Sequence, residues 1–130
     1  MLSVETLARC LSERRHEGVV VPFVERSIGS WRPEAGQCHH NADFWVLNNP
    51  EYRAVHGWIC IDHAEGSKGI FLYVEFLAHS LVEGPGGELM DITPSQSSQC
   101  YPFIRHEGTR EDFISLVEGQ QITCIRHHIV

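Results

Sequence analysis

Apolar residues recur three and four positions apart at the start of the chain, at Val4, Leu7 and Leu11. That spacing predicts a helix capped by Ser3 and running to about Glu17, with Gly18 as a left-handed stop. Cys10 falls beside the stripe and reads as a small buried hydrophobe. Val19-Val20-Val21 predicts a short strand ended by Pro22, and residues 26–37, which carry Gly29, Pro33 and Gly36, predict a loop. A second helix is expected from Cys38, with Ala42, Trp45 and Val46 turned inward and Asn48-Asn49-Pro50 ending it.

From residue 54 the period changes to two, which predicts a strand over 54–62. Val55, Gly57, Ile59 and Ile61 take one face of it, and His56, Trp58 and Cys60 the other. A turn at 65–69 leads into the longest apolar run, 70–82, whose length and β-branched and aromatic content predict a central strand buried on both faces. Gly84-Pro85-Gly86-Gly87 closes a hairpin into a strand over 88–92. Residues 93–99 read as polar loop and 101–105 as a further strand. Thr109 caps a helix through Val117, with Asp112 in capping-box position and Gly119 as the stop, and 121–130 reads as a last strand. The class is therefore α+β: a single domain over 1–130, with an N-terminal helix and a cysteine-bearing helix packed on a mostly antiparallel sheet.

Composition narrows the function classes. The chain has 130 residues, which suits one domain and lets roughly two-thirds of the unfolded surface be buried without disulfide staples. Its net charge is −7 and it has no run of Lys or Arg, which argues against nucleic-acid binding and against an anionic membrane surface. Five cysteines without a framework spacing suggest reduced thiols in a cytoplasmic compartment. No stretch reads as a cleaved signal or a membrane span.

The candidate chemistry centres on three residues. Cys38 is expected in the first turn of its helix, where free amides and the helix dipole lower a thiol's pKa and are suited to bind an oxyanion. His79 interrupts the apolar run, and an unpaired buried imidazole costs roughly 1–3 kcal/mol. Asp91 follows in the next strand. A hairpin loop centred on Pro85 would set His79 and Asp91 directly opposite each other on one face. An even-numbered loop would put Ile92 there and part the pair. Asp91 would then hold the imidazole in the correct tautomer. Gln37 and Arg32 are candidate oxyanion donors, Asn41 a candidate for positioning or substrate binding, and Trp31, Trp58 and Tyr101 candidate cleft walls. His39 and His40 are secondary candidates for the base, since adjacent helix positions are expected to point away from the face of Cys38.

The order of a cysteine at a helix start, a histidine on one strand and an aspartate on the next resembles the papain-like thiol superfamily. It is most similar to the compact members: transglutaminase-like proteins, cell-wall amidases, arylamine N-acetyltransferases and bacterial protein-glutamine deamidases. His39 stands where papain-type peptidases carry an aromatic. The resemblance implies a papain-like core and a cofactor-free thiol hydrolase or acyltransferase working through Cys38, His79 and Asp91 on a protein, peptide or other amide substrate. At this size a partner protein or a second subunit is expected to complete the cleft.

Two other classes compete. Cys60-Ile61-Asp62-His63 and Cys124-Ile125-Arg126-His127 are two C-x-x-H pairs, and Cys60, His63, Cys124 and His127 together would make a tetrahedral zinc site if each pair lay on a turn. A small acidic chain also suits a non-catalytic interaction module, in which His79 and Asp91 only satisfy each other and Cys38 is dispensable.

Overall fold

The computed structural model describes residues 3–63, 73–95 and 101–128. Helix α1 (Val4–Glu13) starts where Ser3 Oγ accepts the Thr6 amide. A 3-10 turn, Arg15–Glu17, continues it to Gly18. Strand β1 (Val19–Val20), helix α2 (Cys38–Asn48) and strands β2 (Arg53–Asp62), β3 (Tyr73–Glu83), β4 (Leu89–Met90) and β5 (Pro102–Arg105) follow. Helix α3 (Arg110–Ile114) and strand β6 (Cys124–His128) complete the series. The strands form one mostly antiparallel sheet in the order β1-β5-β2-β3-β4, with β6 also paired to β3. This is the expected α+β architecture. The expected turn at 65–69, the start of the long apolar run and much of the 93–99 loop lie outside the described residues.

The chain packs as two compact units, and β2 and β3 contribute residues to both. The first unit comprises Met1–Val19, Gly57–Ala78 and Tyr101–Val130. Its core gathers Leu7 and Leu11 of α1 with Trp58, Phe76, Ile104, Phe113 and Ile125, all nearly inaccessible to water. Trp58 donates from Nε1 to His106 Nδ1 at 3.1 Å, so it is a core residue and not a cleft wall. The Thr109 capping box forms as expected, with Oγ1 accepting the Asp112 amide and the Asp112 carboxylate accepting the Thr109 amide. The helix does not run regularly to Val117: after Ile114 it widens into a π-turn, Ser115–Gly119, and the left-handed residue beyond it is Gln121, not Gly119.

The second unit comprises Val20–His56 and His79–Cys100. Here α2 turns Ala42 and Trp45 inward against Val82, Met90 and Ile92, with Trp31 and Tyr52 packed on the rim of that cluster. The hairpin differs in register from the Pro85-centred expectation. Gly84 N–H donates to Glu88 O and Gly87 N–H to Gly84 O, at 2.8 and 3.0 Å, so the turn is centred on Gly86. Gly87 takes a φ of 86°, the left-handed conformation that such a three-residue loop requires at its last position. Met90 therefore pairs with Val82, where a Pro85-centred turn would have set it opposite Ser80. A shift of that size keeps every side chain on its face, because side chains alternate with a period of two.

Gly57 carries a constraint of the first unit. A Cβ there would strike the Ile104 carbonyl and lie 2.5 Å from Cζ of Phe103, where β5 pairs closely with β2. Gly57→Ala is expected to lower stability by about 1–3 kcal/mol, the usual cost of overpacking, as measured by urea denaturation.

Candidate functional site

Every group of the site belongs to the second unit. Cys38 is the first residue of α2, following the N-cap Gln37. No side chain caps this terminus, and the first intrahelical bond is the Asn41 amide to Gln37 O at 2.8 Å. The amides of the first turn therefore have no capping side chain, and the positive end of the helix dipole lies at the thiol.

His79 projects from β3, and Asp91 follows directly after β4. Asp91 is held first by its backbone. It leaves the β4 ladder to form a parallel bridge with Phe23, its N–H donating to Pro22 O at 3.0 Å and its C=O accepting from Val24 N–H at 2.9 Å. Its carboxylate is then shared: Oδ1 accepts the Thr93 amide at 3.0 Å, and Oδ2 lies 2.7 Å from His79 Nε2. The two are diagonal and not direct cross-strand neighbours, which the observed register requires; the short bond forms because both stay on one face. With Nε2 engaged by Asp91, Nδ1 is the nitrogen that serves the thiol, and Cys38 and His79 are hydrogen-bonded.

Asn41 ties these parts together. Its side chain is 1% exposed, and its amide donates to Glu34 O at 2.8 Å and to Thr93 Oγ1 at 3.0 Å, while Oδ1 accepts the Glu34 amide at 3.1 Å. Both ends of the amide are spent within the protein, which makes Asn41 a positioning residue and not a substrate ligand. One turn of helix thus links the loop before Cys38 to the segment that holds Asp91.

A second imidazole reaches the thiol. His39, expected to point away, is hydrogen-bonded to Cys38, and its Nδ1 is 2.6 Å from Oγ of Ser80. The same hydroxyl lies 2.7 Å from His56 Nδ1. The sequence pattern marks neither Ser80 nor His56 as functional. A serine at the centre of an apolar strand is the available signal, because a buried hydroxyl must find polar partners.

The electrostatics favour charge separation. Burial works to keep the Cys38 thiol neutral, but hydrogen bonds from His39 and His79, aided by their charge, outweigh it and bring the pKa from 9.0 to about 6. Burial likewise opposes a charged His79, yet the bonds to Asp91 and Cys38 raise it from 6.5 to about 9. Between those values the pair stands as thiolate and imidazolium.

The remaining candidates lie nearer the surface or elsewhere. Gln37 and Arg32 are exposed on the chain just before Cys38. Trp31 is half-buried, its ring 4.5 Å from that of Phe44, and His40 is exposed with its ring 6.1 Å from the same phenylalanine. The proposed zinc ligands do not converge. Cys60 is buried in the core of the first unit, while Cys124 and His63 each bond Glu75, at 3.1 and 3.4 Å. Cys124 and His127 stand on a regular strand, where residues three apart face opposite sides. Among the described residues no group of three or more His, Cys, Asp and Glu is arranged to hold a metal ion. Among those residues, too, no helix is long and apolar enough to cross a membrane. Compared with known proteins, the chain matches no family model, and neither a curated protein nor a solved structure matches it.

Two outcomes check this geometry. Alkylation of Cys38 by iodoacetamide, followed by peptide mass spectrometry, should rise in rate as pH passes about 6, because the thiolate forms there. In His79→Ala the rise should move up toward the ordinary thiol range, stopping short of it because His39 still bonds the thiol. Asn41→Ala should destabilise the chain by about 1–3 kcal/mol in chemical denaturation, since it strands a buried amide and removes the Thr93 tie.

Proposed function

We propose that the chain is a cysteine-dependent hydrolase or acyltransferase that acts on an amide or thioester bond. The observation that carries this reading is the continuous connection Cys38–His79–Asp91, with the thiol brought down to about 6 and the imidazole raised to about 9 at a helix N-terminus. A structural pairing of His79 with Asp91 would not need a thiol on the other side of the ring. The connection accords with the order of residues in the papain-like and transglutaminase-like thiol enzymes that the sequence resembles.

In the first half-reaction the thiolate of Cys38 attacks the carbonyl carbon, and a carbon–sulfur bond forms. The bond to the leaving amine or thiol breaks, and that group departs with the proton of the His79 imidazolium. Asp91 stabilises the charged ring and holds its tautomer. Amides of the first turn of α2, with Gln37 or Arg32 as a second donor, would receive the developing oxyanion. In the second half-reaction water or an amine attacks the thioester, gives up a proton, and releases Cys38 as thiolate. Water gives hydrolysis, or deamidation where the substrate is a glutamine side chain; an amine gives acyl transfer. The free thiols of Cys10, Cys38, Cys60 and Cys124 suit a reducing, cytoplasm-like compartment. A protein or peptide substrate, with a partner or second copy completing the cleft, fits the small size of the chain.

The decisive experiment uses a chromogenic acyl thioester and mass spectrometry of the quenched protein. An acyl group should appear on Cys38 and turn over; Cys38→Ala should abolish both, and Asp91→Asn should slow acylation about a hundredfold or more. No acyl adduct on Cys38 with thioesters, esters or activated amides, in a protein whose other thiols label normally, would sink the reading.

A further inference from the structure

Ser80 is 1% exposed, yet its hydroxyl is shared by two imidazoles, Nδ1 of His39 at 2.6 Å and Nδ1 of His56 at 2.7 Å. A serine hydroxyl has one hydrogen, so it can donate to only one of the two rings, and the other must donate to it. At any moment, therefore, one ring carries a proton on Nδ1 and the other presents a lone pair there. Moving one proton across the hydroxyl exchanges these roles without breaking the chain. At its inner end His39 is hydrogen-bonded to Cys38, and at its outer end His56 is half-buried on β2. The mechanism through His79 and Asp91 makes no use of this second route.

We propose that His39, Ser80 and His56 form a proton relay that serves the second half-reaction: His39 is the catalytic base for the acceptor that attacks the acyl-cysteine, and Ser80 and His56 are positioning residues that carry its proton away. The proposal rests on the reading of Cys38 as an acylated nucleophile. After acylation His79 is neutral, having given its proton to the leaving group. The acceptor then attacks the thioester carbonyl, and its proton passes to the His39 nitrogen on the thiol side. The proton on Nδ1 of His39 moves to Ser80 Oγ as the serine's own proton moves to Nδ1 of His56, which becomes an imidazolium and releases a proton to solvent. The carbon–sulfur bond breaks, Cys38 returns as thiolate, and His79 takes one proton from solvent to restore the ion pair. The relay ends with the proton on the thiol side of His39, as in the resting ion pair. It is set after acylation, when that proton is lost to solvent while His56 takes one on its outer nitrogen and the chain passes one inward to Nδ1 of His39. Two protons therefore enter and two leave in each turnover. With separate bases, the leaving group and the acceptor need not share one side of the acyl group.

The test measures the two half-reactions separately, following acyl-Cys38 formation and decay after mixing with the thioester used above. Ser80→Ala and His56→Gln should leave acylation within about twofold of the parent while slowing decay about a hundredfold, the usual worth of a general base, so that acyl-enzyme accumulates. His56→Gln is the more telling variant, because glutamine can hydrogen-bond Ser80 but cannot pass a proton through a ring. His56→Gln decaying at the parent rate, or acylation falling in parallel with decay in both variants, would overturn the relay. A parent protein that forms no acyl-enzyme at all would overturn the proposed function instead. Urea denaturation of each variant supplies the control for folding, and a Ser80→Ala chain that fails to fold leaves His56→Gln to decide.

Discussion

The 2.7 Å contact between His79 Nε2 and Asp91 Oδ2 is the interaction on which the second unit depends. It gives a histidine in the middle of an apolar strand a reason to be there. It also fixes which ring nitrogen faces the thiol. Its geometry is not left to the carboxylate alone, since the backbone of Asp91 is clamped on both sides by the 22–24 segment and its other oxygen holds the Thr93 amide. A side chain anchored at so many points loses little further entropy in orienting its partner.

From that contact the polar network runs in two directions. One passes through Thr93 and Asn41 to the Glu34 loop and returns to the helix that carries Cys38. The other crosses Cys38 to His39, Ser80 and His56. Asn41, the buried hinge of the first branch, has its donors and its acceptor used, as a polar network needs if it is not to weaken an apolar core. The thiol sits where the branches meet. Burial by itself would keep it protonated; two imidazoles reverse that preference.

Elements with a strong period or a distinct cap were legible in the chain. The α1 stripe, the Thr109 capping box, the alternation of β2 and the arrest of α2 at Asn48-Asn49 all depend on residues within a few positions of one another. The irregularities were not: the π-turn after Ile114, the early departure of Asp91 from the ladder, and a hairpin centred one residue beyond Pro85. Each is decided by packing or by a partner distant in sequence. The pairing of His79 with Asp91 survives the register error because the loop is odd-numbered, and moving its centre by one residue leaves both side chains on the same face.

Taken alone, the sequence determined the class of fold and the cysteine at a helix start, since these follow from local period and capping; the face shared by His79 and Asp91 waited on the length of the hairpin loop. The sequence misjudged His39 and left the role of Asn41 open. Adjacent helix positions diverge in an isolated helix, and the bond to Ser80 of β3 shows where the His39 ring lies in the fold. Asn41 could have met solvent, substrate or protein; the approach of the Glu34 loop and Thr93 settled that it meets protein. Side-chain roles of this kind belong to tertiary structure because a hydrogen bond needs its partner within about 3 Å, and no local rule brings residues 39, 56 and 80 that close.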